Sequence, residues 1–288
     1  MPRLLLVLGP TASGKTARAI QLAQEHGTHI ISADSRQFYS ELDIGVARPS
    51  PDELAAAPHH FIACRSVLEP YNVFTYQQEA LALTRQLFQQ HDTLVAVGGS
   101  SLYIQALTRG INVLPDPTPE LRASLQRQLH DEGIQSLRAL LKSLDPDYYA
   151  RVDLANPIRI QRALEVCLTA GEPYSRFLDR PTEPRDFTVE PVIIERSRKE
   201  LRERILSRVD QMFDDGLEAE ARSLYPLRHL QPLNTVGYKE FFSLWPQSPS
   251  PLSNAQRQQV ADSIALNTWH YAKKQLTWLK KARAIYNF

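Results

Sequence analysis

Two cysteines in 288 residues, Cys64 and Cys167, are too few to build a zinc site or a disulfide framework. They read as reduced thiols, each explained as a small buried hydrophobe. Strand-like sequence starts at Leu4, so no signal or transit peptide is expected. No apolar run approaches the ~20 residues that cross a bilayer, so no membrane association is expected. Neither sign of charge dominates: the net charge is +1, which argues against an indiscriminate nucleic-acid binder. Internal repeats and low-complexity segments are also lacking. A cytoplasmic globular protein of one large or two smaller domains is expected. The charge is nonetheless uneven. Residues 1–150 hold 12 Lys and Arg against 15 Asp and Glu, and residues 151–288 hold 21 against 17. From Trp269 onward there are Lys273, Lys274, Lys280, Lys281 and Arg283 and no acid. Such a stretch is either a solvated helix face or a surface for polyanions.

What is present begins with Gly9, Pro10, Thr11, Ala12, Ser13, Gly14, Lys15 and Thr16. This run follows the apolar Leu4–Leu8 and precedes the helical pattern of Ala17–Ala23, the context a phosphate-binding P-loop needs. Glycines let successive N–H groups curl around a polyphosphate, and the helix start adds partial positive charge. Lys15 adds a full charge, and the Thr16 hydroxyl is placed to hold Mg²⁺. A polyphosphate or pyrophosphate ligand follows.

Strand-like runs recur at His29–Ala33, His60–Cys64 and Thr93–Val97. Between the last two lies a helical pattern, Tyr76–Gln90, and Gly27 is placed to stop the first helix. Alternating strands and helices predict an α/β fold. Its P-loop NTPase-like parallel sheet has helices on both faces, with ligand at the carboxyl ends of the strands. After Pro115, Pro117 and Pro119 only helical patterns appear, through Leu121–Leu129, Leu137–Leu144 and Ile160–Leu168. Arg176–Glu190 reads as loop, and strand character returns at Val192–Ile194. The expected organisation is a core of 1–115 and 190–288 interrupted by an all-helical insertion, 116–189. Helices follow at about Lys199–Phe213, on to Tyr225, and over Ser253–Lys281, with Ala284–Phe288 read as a closing strand.

Three further features carry chemistry. Asp34 follows the second strand, where a carboxylate serves as a base, holds Mg²⁺ through water, or merely caps a turn. Gly98-Gly99-Ser100 follows the fourth strand, where many P-loop NTPases carry an acidic Mg²⁺ ligand. The missing acid argues against an ordinary ATPase. Arg196, Arg198, Lys199, Arg202, Arg204 and Arg208 line one helix. Arg204 and Arg208 share a face, and an arginine turned to the crevice suits a diphosphate, whereas the rest fit a salt-bridged surface.

Taken in order, these segments resemble the tRNA dimethylallyltransferase (isopentenyltransferase) family. The matching pieces are GPTASGKT at 9–16, ISADSRQFY at 31–39, DIGVARP at 43–49, PHHFI at 58–62, GGSSLYIQAL at 98–107, RIQRALEV at 159–166, RILSRVDQMFDDGLEAE at 204–220, TVGYKE at 235–240 and YAKKQLTWLKK at 271–281. The resemblance implies transfer of a dimethylallyl group from dimethylallyl diphosphate to N6 of the adenosine at tRNA position 37, beside the anticodon, with release of pyrophosphate. It implies Asp34 as general base, and Arg208, the P-loop, Lys15 and Thr16 with Mg²⁺ as the groups that neutralise the leaving diphosphate. It also implies Ser100 as a catalytic residue; Ser100 stands where the family usually has Thr and keeps the hydroxyl. The resemblance further implies that the inserted domain embraces the tRNA anticodon stem-loop, with the target base flipped into the protein. The implied tRNA contacts are Asp34, Ser35, Arg36, Gln37, Ser100, Arg122, Ile158, Arg159, Ile160, Gln161, Arg162, Asn234, Thr235, Val236, Gly237, Tyr238 and Lys239. A monomer is expected.

Four departures from the family pattern stand out: Trp269 in place of a common arginine, Val46 and Arg48 for Thr and Lys, and Ala63 for an acid. The rival readings are a small-molecule P-loop kinase, an isopentenyltransferase acting on free adenine nucleotides, and a non-catalytic RNA-binding module.

Overall fold

The computed structural model describes residues 1–286. Five strands, β1 (Arg3–Leu8), β2 (Ile30–Ser32), β3 (His59–His60), β4 (Thr93–Val97) and β5 (Thr188–Ile193), form one sheet in the order β3-β2-β4-β1-β5. Every pairing is parallel. The chain divides into two compact units, one made of Met1–Arg109 with the residues from Arg185 onward, the other of Gly110–Pro184.

In the first unit, α1 (Lys15–Glu25), α2 (Pro51–Ala56), α3 (Val73–Leu87) and α4 (Ser101–Thr108) connect the strands. α1 packs Ala19, Ile20 and Ala23 on Leu5, Val7, Ile30 and Val95. The alternate strand residues Leu4, Leu6, Leu8, Ile31, Leu94 and Ala96 are fully buried as well, so both faces of the sheet are covered, as parallel sheets require. The second unit holds α5 (Pro119–Glu132), α6 (Ile134–Leu144), α7 (Pro146–Arg151), α8 (Pro157–Ala170) and α9 (Tyr174–Leu178) around Leu125, Leu137, Leu141, Ile160 and Leu164. Fully buried Asp145 ties its short helices together, accepting from Tyr148 N at 2.9 Å, Ser175 N at 2.7 Å and Ser175 Oγ at 2.8 Å. The chain then returns to the first unit for α10 (Arg198–Asp214), α11 (Leu217–Leu224), α12 (Lys239–Leu244) and the 33-residue α13 (Asn254–Tyr286).

Several expectations from the sequence need correction. The third strand is only His59–His60, because Phe61 (φ 64°) and Ala63 (φ 47°) adopt left-handed backbone that cannot continue a strand. Cys64 is exposed, while Cys167 is buried as expected. β5 starts at Thr188 inside the stretch read as loop. It is an edge strand with Thr188 and Glu190 exposed and Pro191 within it, and this polar pattern hid it. α7 and α9 went unseen because Pro146 and Pro173 look like breakers, yet each stands at the start of a helix. Ala284–Tyr286 continue α13 rather than forming a closing strand, and residues 287–288 lie outside the described residues.

Candidate active site

The carboxyl ends of β1, β2 and β4 converge because these strands are neighbours in the sheet. Residues 9–14 leave β1 and curl back, with Ala12 (φ 63°) and Gly14 (φ 96°) both in left-handed backbone and Gly14 capping α1. Gly9 is obligatory here: a Cβ would lie 2.6 Å from Ser13 Oγ and 3.1 Å from Ile194 O. The Ser13 hydroxyl is buried and has no hydrogen-bond partner among the described residues, a polar group in a phosphate loop awaiting one. Lys15 Nζ folds over the loop to donate to Pro10 O at 2.8 Å. Burial pulls its pKa down to about 8; the nearby Asp34 carboxylate opposes this and Arg208 adds to it.

Three of the six cations before and along α10 reach this loop. Arg204 Nε donates to Ala12 O at 2.6 Å, Arg196 Nε to Ser13 O at 3.3 Å, and Arg208 Nη1 to Thr11 Oγ1 at 3.4 Å. Burial and the neighbouring Arg204 lower the Arg208 pKa, a sign of a cation held for an anion rather than paired with an acid. Lys199 instead forms an i,i+4 pair with Glu203, and Arg202 lies over the Trp269 ring at 4.7 Å.

Beyond β2, Asp34 Oδ1 accepts from Arg36 N at 3.0 Å, a local turn bond that aims the carboxylate and leaves Oδ2 free among the described residues. Ser100 Oγ accepts from Ser35 N and donates to Ser35 Oγ, both at 3.0 Å, so it locks the loop after β2 to the one after β4. Gly98 packs against the Ala33 carbonyl, where any Cβ would collide.

Two cavities meet at these residues. One, of about 340 Å³, is polar and holds Gly14, Lys15, Thr16, Gly98, Gly99, Arg204 and Gln275. The other, of about 240 Å³, has an aliphatic floor of Ile205, Val209, Met212 and Ile264 and a rim of Ser35, Arg36, Thr235, Val236 and Thr268. Thr11, Asp34, Val46, Ala47, Arg208 and Tyr271 line both. A chamber lined by the phosphate-loop motif and cations therefore adjoins a slot with an apolar floor, with one carboxylate and one arginine at the junction. Among the described residues no cluster of three His, Cys, Asp or Glu could hold a metal alone. Thr16 and a bound diphosphate together do suit Mg²⁺, which takes one or two protein oxygens with phosphates and water.

The segment 43–47, part of the junction wall, contains a single turn of 3-10 helix (Ile44–Val46) and is held by side chains from two sides. Glu220 on α11 accepts from Asp43 N (2.6 Å), Ile44 N (3.1 Å), Gly45 N (3.0 Å) and Tyr238 Oη (2.9 Å). Gln37 Nε2 donates to Ala47 O at 2.9 Å from the other side. The Tyr238 ring occupies the space a Cβ on Gly45 would need, 2.5 Å away.

The sequence-inferred tRNA contacts divide accordingly. Ser35, Arg36, Thr235 and Val236 line the apolar slot, and Asn234 and Lys239 are accessible beside it in the chain. Tyr238 is fully buried and Gly237 is buried with it; their roles are to pack and hold the 43–47 segment, which corrects their assignment as surface contacts. In the second unit Ile158 is 76% exposed but Ile160 is fully buried. Two residues along α8 turn the side chain to the opposite face and into the core, so Ile160 cannot present itself to a partner. Arg159 is exposed and Gln161 partly so. Arg122 and Arg162 share Glu165, at 3.6 and 3.0 Å. Trp269, the departure of most concern, is only 9% exposed and belongs to the core of the first unit. Sequence reasoning missed Glu220, Tyr271 and Gln275. The last two lie within the segment read as basic, interleaved with the exposed Lys273 and Lys274; Gln275 is buried and Tyr271 is exposed.

With this geometry in place, comparison with known proteins is informative. The IPP transferase family matches residues 37–282. The tRNA dimethylallyltransferase of Christiangramia forsetii is 43% identical over 278 residues, 96% of this chain and 90% of that one. The tRNA dimethylallyltransferase 1 of Bacteroides thetaiotaomicron is 41% identical over 99% of this chain and 91% of its own. The crystal structure of the full-length tRNA isopentenylpyrophosphate transferase from Bacillus halodurans is similar with a TM-score of 0.65 at 30% identity, covering 97% of this chain and 87% of that one. A eukaryotic dimethylallyltransferase acting on tRNA, 22% identical and covering 97% of this chain and 70% of that one, shares the fold with a TM-score of 0.78.

Proposed function

This chain belongs to the IPP transferase family, and from that premise we propose that its two-chambered crevice transfers a dimethylallyl group from dimethylallyl diphosphate to N6 of the adenosine beside the anticodon of tRNA, releasing pyrophosphate. The observation that carries the reading is the junction itself: Asp34 and Arg208 line both the phosphate chamber and the apolar slot. A group passing from diphosphate to purine must cross between them.

The chemistry follows from the residues. The adenine amino group is a weak nucleophile because its lone pair is delocalised into the ring. Asp34, with one oxygen tied to Arg36 N and the other free, takes the N6 proton as the C–N bond forms. The C–O bond to the diphosphate breaks, and the departing charge is met by Lys15, the P-loop N–H groups and Arg208. The buried Ser13 hydroxyl gains the partner it lacks. Mg²⁺, held by Thr16 and the phosphates, supplies further charge neutralisation when bound. The slot's aliphatic floor and polar rim suit a purine ring. Ser35, Arg36, Asn234, Thr235, Val236 and Lys239 serve the anticodon loop, and Arg122, Arg159 and Arg162 on the second unit serve the stem phosphates. Among the described residues no helix is long and apolar enough to cross a membrane; we place the enzyme in the cytoplasm, acting as a monomer.

One incubation tests the reading: protein, Mg²⁺, labelled dimethylallyl diphosphate and unmodified tRNA with adenosines after the anticodon, alongside free AMP and ATP as competing acceptors. Mass spectrometry should find the label on the adenosine next to the anticodon. Label on free nucleotide alone, or on no adenosine, overturns it.

A further inference from the structure

Among the residues lining the apolar slot there is a single aromatic, Tyr271, from the second half of α13. Its placement is unusual for a partly exposed tyrosine, because the hydroxyl is tied down. It donates to Gly99 O at 3.1 Å. One helical turn on, Gln275 Nε2 donates to the same oxygen at 3.0 Å, while Gln275 Oε1 accepts from Thr11 N at 2.7 Å. Gln275 is 7% exposed and sits where a Cβ on Gly99 would come within 2.6 Å of its amide. The tip of the Tyr271 ring is thus fixed to the loop after β4, and that loop is fixed to the P-loop. With its tip pinned, the residue is still 40% exposed, and it borders the slot and the phosphate chamber together. Burial, with Asp34 adding to it, holds the phenol pKa at about 12, so the hydroxyl stays a donor at working pH.

A purine pulled from an anticodon loop loses its stacking neighbours, and enzymes that extrude bases restore that loss with aromatic faces. The aliphatic floor of the slot, Ile205, Val209, Met212 and Ile264, can close against a flat ring but offers no π-face of its own. We propose that Tyr271 is the stacking platform for the extruded purine, pinned by Gly99 so that a base lying on it presents its amino group at the junction with Asp34. This rests on reading the crevice as the site of adenosine prenylation. Tyr271 is then a substrate-touching residue, and Gln275 a positioning residue behind it.

The test uses an anticodon stem-loop carrying 2-aminopurine at the target position. This analogue has no N6 amino group, so it binds without reacting, and its emission rises when it leaves a stack and falls when it restacks on an aromatic ring. Binding to the wild-type protein should give a modest rise. Tyr271→Leu removes the platform, and its complex should be brighter than wild type by about twofold or more. With an ordinary stem-loop its single-turnover prenylation should fall about tenfold or more, while its affinity for dimethylallyl diphosphate stays within about twofold. Tyr271→Phe keeps the ring and should match wild-type emission. Tyr271→Trp enlarges the platform and should quench below wild type, which keeps the idea testable if the leucine variant fails to fold. Equal emission from the wild-type, Leu and Trp complexes overturns the platform role. If emission changes on binding in neither the wild-type nor the Leu complex, the base-extrusion premise fails, and the platform with it.

Discussion

The two ends of the crevice are made of different materials. The phosphate end is built from main chain and cations. Residues 9–16 supply the N–H groups, and Arg196, Arg204 and Arg208 brace the loop. The purine end is built from side chains of α10 and α13 that are far apart in sequence, closed by a segment that the Glu220 carboxylate and the Gln37 amide hold in place. A main-chain cradle needs contiguous residues and announces itself as a motif. A side-chain slot can be assembled from any elements the fold brings together, and leaves only scattered signs.

That contrast breaks most severely at Asp34, which belongs to both ends. Asp34→Ala should abolish transfer while tRNA affinity stays within about tenfold, as for loss of a general base that adds little binding. Single-turnover rates and filter binding measured side by side check this, and near-wild-type turnover in that variant would refute the base role. Arg208→Ala should come next, lowering the chemical step by about 10²-fold or more; a pure loss of tRNA affinity at unchanged single-turnover rate counts against it.

The phosphate end alone should respond to alkaline pH through Lys15, whose pKa is about 8 rather than 10.5. Below pH 8 the group is charged in both the folded and unfolded chain. Between those values the folded protein has released a proton that the unfolded chain retains, so this group makes the ligand-free protein more stable as pH rises through the window. A diphosphate favours the charged form. Its binding should therefore take up a proton, and its affinity should weaken by up to roughly tenfold per pH unit above about 8. Calorimetry of pyrophosphate binding in buffers of different ionisation enthalpy reads this directly, and pH-independent affinity between 7 and about 9.5 would exclude it. The smallest effect is expected at the purine end alone. Glu220→Gln keeps an acceptor for some of the amides but adds a donor facing the others. It should raise KM for tRNA about threefold with kcat little changed, the signature of a loosened wall rather than lost chemistry. A fall in kcat at constant KM would place Glu220 in the reaction itself.

The same division decides what is legible in the sequence. The P-loop, Asp34 and the Gly98-Gly99-Ser100 turn were legible because each lies immediately beyond a strand, and in a parallel sheet the strand ends mark the ligand side. Arg208 was legible through the family pattern and as the i+4 neighbour of Arg204. Ile160 was misplaced because it lies among accessible neighbours in a short motif, and Tyr238 because it lies in a motif whose ends, Asn234 and Lys239, are accessible while its middle is not; side-chain direction changes within a residue or two. Glu220 was invisible because the amides it accepts from are 175 to 177 residues away. Tyr271 and Gln275 were masked by the lysines interleaved with them, which drew attention to the exposed face of α13.

The bond from Thr11 N to Gln275 spans 264 residues, and β1 takes its outer neighbour β5 only after the whole second unit has been made. On the ribosome, the phosphate loop therefore emerges before α13, whose Gln275 braces it. A nascent chain carries the motif before it carries the bond that braces it.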